Sequence, residues 1–416
     1  MRILVLGSGA REDAVARSLK KGGNDVYVLP GNGGTAGYAV NIPGSVMDKE
    51  RVLEAAREND IGYVVVTPDD PLAAGLVDYL SENGFKCFGP DQKASRIESS
   101  KVFAKALMKK YSIPTASYEV FTDADEALSY LKGQSLPVVI KADGLALGKG
   151  VIIAEDAETA ESAVKDMLSG KRFGDAGRRI VIEEFLTGPE VTVLSFTDGK
   201  TVVPMVSSMD HKRAWDGDKG PNTGGMGVIA PNPFYTPEIA KECMDTIFLP
   251  TIRAMEKEGC PFRGCLYFGL MLTPSGPKVI EYNSRFGDPE AEAVLPLLES
   301  DLLSVMMATT EGTLKAEDVS FSDDCSAVVV AASGGYPGSY EKGKAITVGD
   351  LGEAELFIAG ASLKDGKLVT SGGRVLAVQA SAGTLSEALG KAYKALGEIS
   401  FEKMEYRTDI GRRALS

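Results

Sequence analysis

Three stretches of this chain combine carboxylates, cations and glycines in patterns that suit phosphate chemistry. The apolar run VIEYN ends in Glu281-Tyr282-Asn283, with Arg285 two residues on. Strand alternation places Glu281 and Asn283 on one face, and Arg285 with them if the extended run continues. Two oxygen ligands beside a cation suit magnesium, which prefers oxygen and keeps several waters while bridging nucleotide phosphates. A solvated strand end is the plain alternative. The polar and turn-forming Phe286-Gly287-Asp288-Pro289-Glu290 that follows favours a site.

The second stretch, KADGLALGKG, runs from Lys141 to Gly150. Gly144 and Gly148 enclose three residues where a P-loop has four, and Lys149 precedes Gly150 where a P-loop needs Ser or Thr. A mobile glycine-rich loop with two lysines can still close over a triphosphate, its N–H groups and ammonium charges neutralising the oxygens. An exposed hairpin turn is the alternative. The third stretch, from Asp210-His211-Lys212-Arg213 to Asn222-Thr223-Gly224-Gly225-Met226-Gly227, is the densest in polar residues and glycine. Flanked by apolar strands, it reads as a substrate-binding loop rather than a plain surface loop. His211 is the only histidine, and it reads as a structural hydrogen-bonding residue, not a base. A weaker signal lies at Gly7-Ser8-Gly9-Ala10-Arg11-Glu12, a G-x-G without its third glycine. Its N–H groups at a helix N-terminus can hold a phosphate, or the segment is simply a β–α turn.

These residues need elements to position them. RILVL, DVYVLP and IGYVVV, each followed by a turn and then helix-like sequence, read as a parallel open α/β unit from Met1 to about Lys101. SSKVFAKALMKKYSIP reads as a helix ending before Pro114. EALSYLKGQ and ETAESAVKDML read as amphipathic helices flanking the strand LPVVIKADG. RIVIEEFL, TVVPMVSS and PKVIEYNS are β-rich, and from about Phe321 short strands between glycine turns suggest a small separate C-terminal domain.

Composition narrows the function. A net charge of −13 and a pI near 4.9 argue against general nucleic-acid binding. Glycine, 47 of 416 residues or about 11%, exceeds the usual 7% or so, as expected where backbone turns tightly or approaches a ligand. The five scattered cysteines form no CxxC pair and read as reduced and structural. No apolar run approaches membrane-spanning length and no leader is evident, so the cytoplasm is expected. With one histidine and no G-x-S-x-G, nucleophilic hydrolase chemistry is excluded.

Taken together, the motifs resemble the phosphoribosylglycinamide synthetase family, members of the ATP-grasp superfamily, over essentially the whole chain. The resemblance rests on SSKVFAKALM, VVIKADGLALGKGVIIA, VIEEFLTGPEV, DHKRAWDGDKGPNTGGMG, GCLYFGLML, VIEYNSRFGDPEAE, SGGYPGSY and SGGRVL. It implies an α/β multidomain fold: a Rossmann-like N-terminal domain (1–101), an ATP-grasp domain (102–320) with a lid at about 122–188, and a β-rich C-terminal domain (321–416). It implies an ATP-dependent ligase joining glycine to phosphoribosylamine through an acyl phosphate, with magnesium or manganese, acting on small molecules as a monomer or weak homodimer. Lys101, Lys141, Gly144, Gly148, Lys149 and Gly150 would hold nucleotide phosphates. Glu183, Glu184, Phe185 and Leu186 would border the adenine, and Glu190 the ribose. Glu281 and Asn283 would hold the metal. Arg285, Asp288, Asp210 and Lys141 would carry the chemistry. Gly7, Gly9, Arg11, Glu12, Lys212, Asn222, Thr223, Gly224, Gly225 and Arg374 would complete the substrate site. The chain departs from the family pattern at Asp13 and Ile358, where histidine is usual, and at Thr67, Asp69, Met209, Ala361 and Glu292. Several of these fall where the sugar phosphate is expected. The same activation chemistry with a changed acceptor amine or carboxylate is the alternative reading.

Overall fold

The computed structural model describes residues 1–145, 150–169 and 177–415. Among these, most strands gather into four main sheets. The first is parallel, in the order Val40–Asn41, Asp25–Pro30, Arg2–Gly7, Tyr63–Val66, Cys87–Phe88. Its central strand is apolar from Ile3 to Leu6 because both faces are covered: Ile3 and Val5 enter one core, Leu4 and Leu6 another. Strand order reverses between Arg2–Gly7 and Tyr63–Val66, and in such sheets ligands lie in the crevice beyond the carboxyl ends at that point.

The second sheet is antiparallel: Tyr118–Phe121, Ile180–Glu184, Val138–Ala142, Val151–Ala154. Helices Ala124–Leu131 and Ala157–Leu168 flank it, each started by an aspartate whose carboxylate accepts a backbone N–H of the first turn (Asp123 from Glu126 at 2.9 Å, Asp156 from Thr159 at 2.7 Å). Alternation does the rest. Val138, Ile140, Ala142, Ile180 and Ile182 pack with these helices, while Val139, Lys141, Ile153 and Glu183 face a cleft.

The third sheet runs Val202–Pro204, Glu190–Asp198, Arg263–Thr273, Gly276–Asn283. In its last pair Gly269 stands opposite Glu281 but Leu270 opposite Val279, so Ile280 is an extra, bulged residue. Phe196 of this sheet packs with Phe88 and Phe286 at centroid distances of 6.4 and 6.1 Å, joining it to the first.

The C-terminal sheet is not confined to residues after 320. Its order is Met209–Asp210, Gly227–Ala230, Cys325–Ser333, Arg374–Ala382, Glu355–Ile358, with Met404–Glu405 also on Cys325–Ser333. The two strands that bracket the glycine-rich loop are thus built into it. Its tail also stitches that loop in place. Gly411 N donates to His211 Nε2 at 3.0 Å, and Nδ1 lies 3.2 Å from the Gly227 carbonyl, which it meets as the protonated nitrogen. Arg407, buried, bonds Asp409 at 2.7 and 2.9 Å and Asp218 at 2.9 Å.

Burial, and next the charge of Arg407, push the His211 pKa down from 6.5 to about 4. Between those values the unfolded chain binds more protons than the folded one, so stability falls as pH drops through that window. The loss should be on the order of 3 kcal/mol. Urea titrations across it should show this slope in the wild type and a flatter one in His211→Gln, whose side-chain carbonyl can still accept from Gly411 N. An unchanged slope would assign the effect to other groups.

Candidate active site

A cleft of about 660 Å³ opens between the sheets. One side is built on lysines. Ser100 caps the helix Lys101–Lys110, and Lys101 and Lys105, one turn apart, both line the cleft. Lys101 Nζ donates to the Gly144 carbonyl at 2.8 Å. Lys105 and Lys141 both reach Glu183 Oε2, at 3.0 and 3.1 Å. Burial pushes Lys105 down to about 8 despite Glu183, and lowers Lys101 for the same reason. Lys141 also donates to the carbonyl of the bulged Ile280, at 3.1 Å.

The bulge decides which residues of Gly276–Asn283 face the cleft. Val279 and Tyr282, three apart, both pack in the core, and Ile280, Glu281 and Asn283 line the cleft, with Tyr282 touching it as well. Burial alone would push the Glu281 carboxyl up. Lys212, Lys141, Lys101 and Arg285 outweigh it and hold the group below its usual range, ionised. Lys212 Nζ lies 3.0 Å from Glu190 and 3.8 Å from Glu281. Glu184, Phe185, Leu186 and Glu190 line the same side, with Gly144 and Gly150 near it. Gly148 and Lys149 lie outside the described residues.

On the other side Arg285 lines the cleft, with Arg374 and Arg11 outside its lining. Arg285 lies 3.2 Å from Glu98 Oε1 and 3.4 Å from Asn283 Oδ1. Glu98 Oε2 accepts from the N–H and hydroxyl of Ser284 at 2.8 and 2.7 Å. Arg374 pairs with Asp288 at 3.0 Å and donates to the Gly224 carbonyl at 2.9 Å. Arg11 pairs with Glu12 at 2.6 Å and donates to the Phe286 carbonyl at 3.2 Å. Burial raises Asp288, but Arg374 and Arg11 outweigh it and the carboxyl stays ionised. Asp210 goes the other way: burial, then Glu290, push it well up, and its Oδ1 has no partner among the described residues. Asn222, Thr223 and Gly224 line the cleft beside it. Gly225 has φ +115°, and a Cβ there would stand 2.6 Å from Asp210 Oδ1, so only glycine lets the loop pass.

At the N-terminal glycine turn a side chain of the same turn takes up a backbone donor. The Gly9 N–H is occupied by Glu12 Oε2 at 2.7 Å, and a Cβ on Gly7 would meet Glu12 Cγ at 2.5 Å. The chain's own carboxylate sits where a phosphate was expected. The departures at Asp13 and Ile358 prove to be one contact, with Ile358 N donating to Asp13 Oδ2 at 2.7 Å. Glu292 is fully buried, and neither carboxyl oxygen has a partner among the described residues. Burial, and then the charge of Asp288, push it well up, toward the uncharged form that glutamine mimics. Asp69 and Met209 line the cleft. Sequence reasoning missed Lys105, Glu98 and Glu290. Lys105 was signalled by its helical spacing from Lys101. Glu98 carried no local signal, since its partner Ser284 is 186 residues away.

Comparison with known proteins gives the family. Models of the phosphoribosylglycinamide synthetase N domain, ATP-grasp (A) domain and C domain match residues 1–98, 99–291 and 326–413. A phosphoribosylamine–glycine ligase from Halalkalibacterium halodurans is 46% identical, over 100% of this chain and 98% of that protein. The trifunctional purine biosynthetic protein adenosine-3 of Gallus gallus is 47% identical, with the whole of this chain matching 42% of it. The crystal structure of a phosphoribosylamine–glycine ligase from Thermotoga maritima, 38% identical, superposes with a TM-score of 0.88 over 98% of this chain and 100% of that one. A biotin carboxylase from Campylobacter jejuni, solved with a nucleotide analogue, shares the fold at 16% identity and a TM-score of 0.76, over 97% of this chain and 92% of that one. With all three domain models matched in order and full-length relatives near half identical, the chain belongs to the phosphoribosylglycinamide synthetase family.

Proposed function

We propose that the chain is an ATP-dependent ligase of purine biosynthesis, joining glycine to 5-phosphoribosylamine through a glycyl phosphate. The observation that carries this is the meeting, in one cleft, of a lysine side suited to a triphosphate and an arginine side suited to an acyl phosphate. A glycine carboxylate oxygen attacks the γ-phosphorus; the new O–P bond forms as the bond to ADP breaks. The amine nitrogen then attacks the acyl carbon, phosphate leaves with the C–O electrons, and the nitrogen gives up a proton. Neither step needs a protein nucleophile. The chain supplies position and charge neutralisation.

Lys101, Lys141 and the glycine-rich segment with Lys149 would bind the triphosphate, Glu183 to Leu186 the adenine, and Glu190 the ribose. Arg285, Asp288 and Asp210 would surround the glycyl phosphate. Gly7, Gly9, Arg11, Glu12, Lys212, Arg374 and the 222–225 loop would hold the acceptor. An ionised Glu281 and the Asn283 amide oxygen fit magnesium or manganese. Among the described residues no cluster of three or more His, Cys, Asp or Glu forms a complete cage, so phosphate and water would supply the other ligands. When bound, the metal would screen phosphate charge. The division at 101 and 320, with a lid over about 122–188, is proposed with the exception that 209–230 contributes strands to the C-terminal sheet. Among the described residues no helix is long and apolar enough to cross a membrane. We assign the chain to the cytoplasm, as a monomer or weak homodimer.

ADP release should require glycine and freshly made phosphoribosylamine together; turnover with a different amine would instead identify a changed acceptor. Glu281→Ala combined with Asn283→Ala should bring turnover to background, and near-wild-type rates would remove the metal site. Glu292→Gln should keep turnover within about twofold at neutral pH, because burial and Asp288 push Glu292 toward the uncharged form that glutamine mimics. A large loss there would mean that Glu292 works as an anion.

A further inference from the structure

We infer that Asp13 and Asn32 are positioning residues that clamp Ile358 and so set the spacing of Arg11 and Arg374 about Asp288, which lines the cleft on its acceptor side. The inference rests on the ligase reading above for the identity of that acceptor. Ile358 ends Glu355–Ile358, the edge strand of the C-terminal sheet, and both its backbone polar groups are held by N-terminal residues. Its N–H donates to Asp13 Oδ2 at 2.7 Å, and its carbonyl accepts from Asn32 Nδ2 at 2.6 Å. Gly33 N adds a third bond, to the Ala361 carbonyl at 2.9 Å.

The clamp is built at some cost. Asp13 is 0% exposed, and its Oδ1 accepts from the Tyr38 hydroxyl at 2.6 Å and from Arg17 Nε at 3.1 Å. The Arg17 guanidinium lies over the rings of Tyr38 and Phe357, 4.8 and 5.8 Å from their centroids. Desolvating an ion pair is weak evidence for stability alone, which leaves geometry as the reason to keep it.

Both ends of the clamp lead to the site. Asp13 is two residues beyond Arg11 on the helix Ala10–Lys21, and Asn32 Nδ2 also lies 3.0 Å from the Ser8 carbonyl in the glycine turn. On the far side Ala359 N donates to the Val375 carbonyl at 3.0 Å and Gly360 N to the Arg374 carbonyl at 2.9 Å. Gly360 sits so close to Gly372 that a Cβ on it would fall 2.5 Å from the Gly372 Cα. The path from Ile358 to Arg374 therefore has little slack, and Arg374 grips Asp288. Lys101, Lys105 and Lys141 are carried by other elements, so loosening the clamp should spare the nucleotide.

Three variants test this. Asp13→Ala removes the acceptor for Ile358 N–H, and Asp13→Asn keeps one. Asn32→Asp keeps the oxygen that accepts from Gly34 N and Thr35 N at 2.8 and 3.0 Å, but cannot donate to the Ile358 carbonyl. Asp13→Ala and Asn32→Asp should each raise KM for phosphoribosylamine by about tenfold, the scale of one lost buried hydrogen bond, with KM for ATP unchanged. Asp13→Asn should restore most of the affinity lost in Asp13→Ala. Amide hydrogen exchange at 355–361 should quicken in the two disruptive variants. A parallel rise in KM for ATP, or Asp13→Asn as damaging as Asp13→Ala, would overturn the inference. If Asp13→Ala does not fold, Asn32→Asp alone decides. If the wild type does not turn over phosphoribosylamine, the ligase reading fails, and the clamp is judged by exchange: unchanged protection at 355–361 overturns it.

Discussion

Lys105 and Lys141 share a single carboxylate oxygen, Glu183 Oε2, in a place almost shut off from water. Two ammonium groups so close repel each other, and burial favours the neutral form of Lys105; the glutamate between them opposes both effects. Two cations to one anion leaves local positive charge, and the second Glu183 oxygen has no partner among the described residues. Such a trio is stable by itself and still improved by an incoming anion. It also ties three elements together, because its members come from the helix Lys101–Lys110 and the strands Val138–Ala142 and Ile180–Glu184.

The arginine side repeats the device with a different geometry. Arg285 is held by Glu98, Arg374 by Asp288 and Arg11 by Glu12, so each guanidinium is aimed before any ligand arrives. Preset donors of this kind avoid reorganisation during reaction. The acids left over, Asp210, Glu290 and Glu292, are pushed up by burial. The side thus combines carboxylates that each pair with an arginine and buried ones that are pushed up.

The sequence made the alternating elements legible and hid the others. The strands and helices of the second sheet announce themselves because one face is apolar and the other faces a cleft or solvent, which gives Val138–Ala142 its pattern. Glu190–Asp198 and Arg263–Thr273 gave no alternation to read, since they are buried along nearly their whole length. The two-residue strands Val40–Asn41 and Cys87–Phe88 are too short to carry a period. Glu281 and Asn283 were placed on one face correctly, but simple alternation does not account for it: the Ile280 bulge shifts the phase just before them. The glycine turn left two readings open because Glu12 is both a helix residue and the occupant of the Gly9 N–H, and residue spacing does not say which.

The pairing of Gly227–Ala230 with Cys325–Ser333 has a consequence for how this chain can be cut and rearranged. A fragment starting near residue 321 would lose two strands of its sheet and leave Cys325–Ser333 with an open, apolar edge, a template for aggregation. A fragment ending there would strand Met209–Asp210 and Gly227–Ala230 without the sheet that orders the glycine-rich loop between them. Gene fusions that preserve the chain whole respect this weave, as in the chicken protein where it matches 42% of a longer polypeptide from end to end. Modularity here stops at the level of the entire chain.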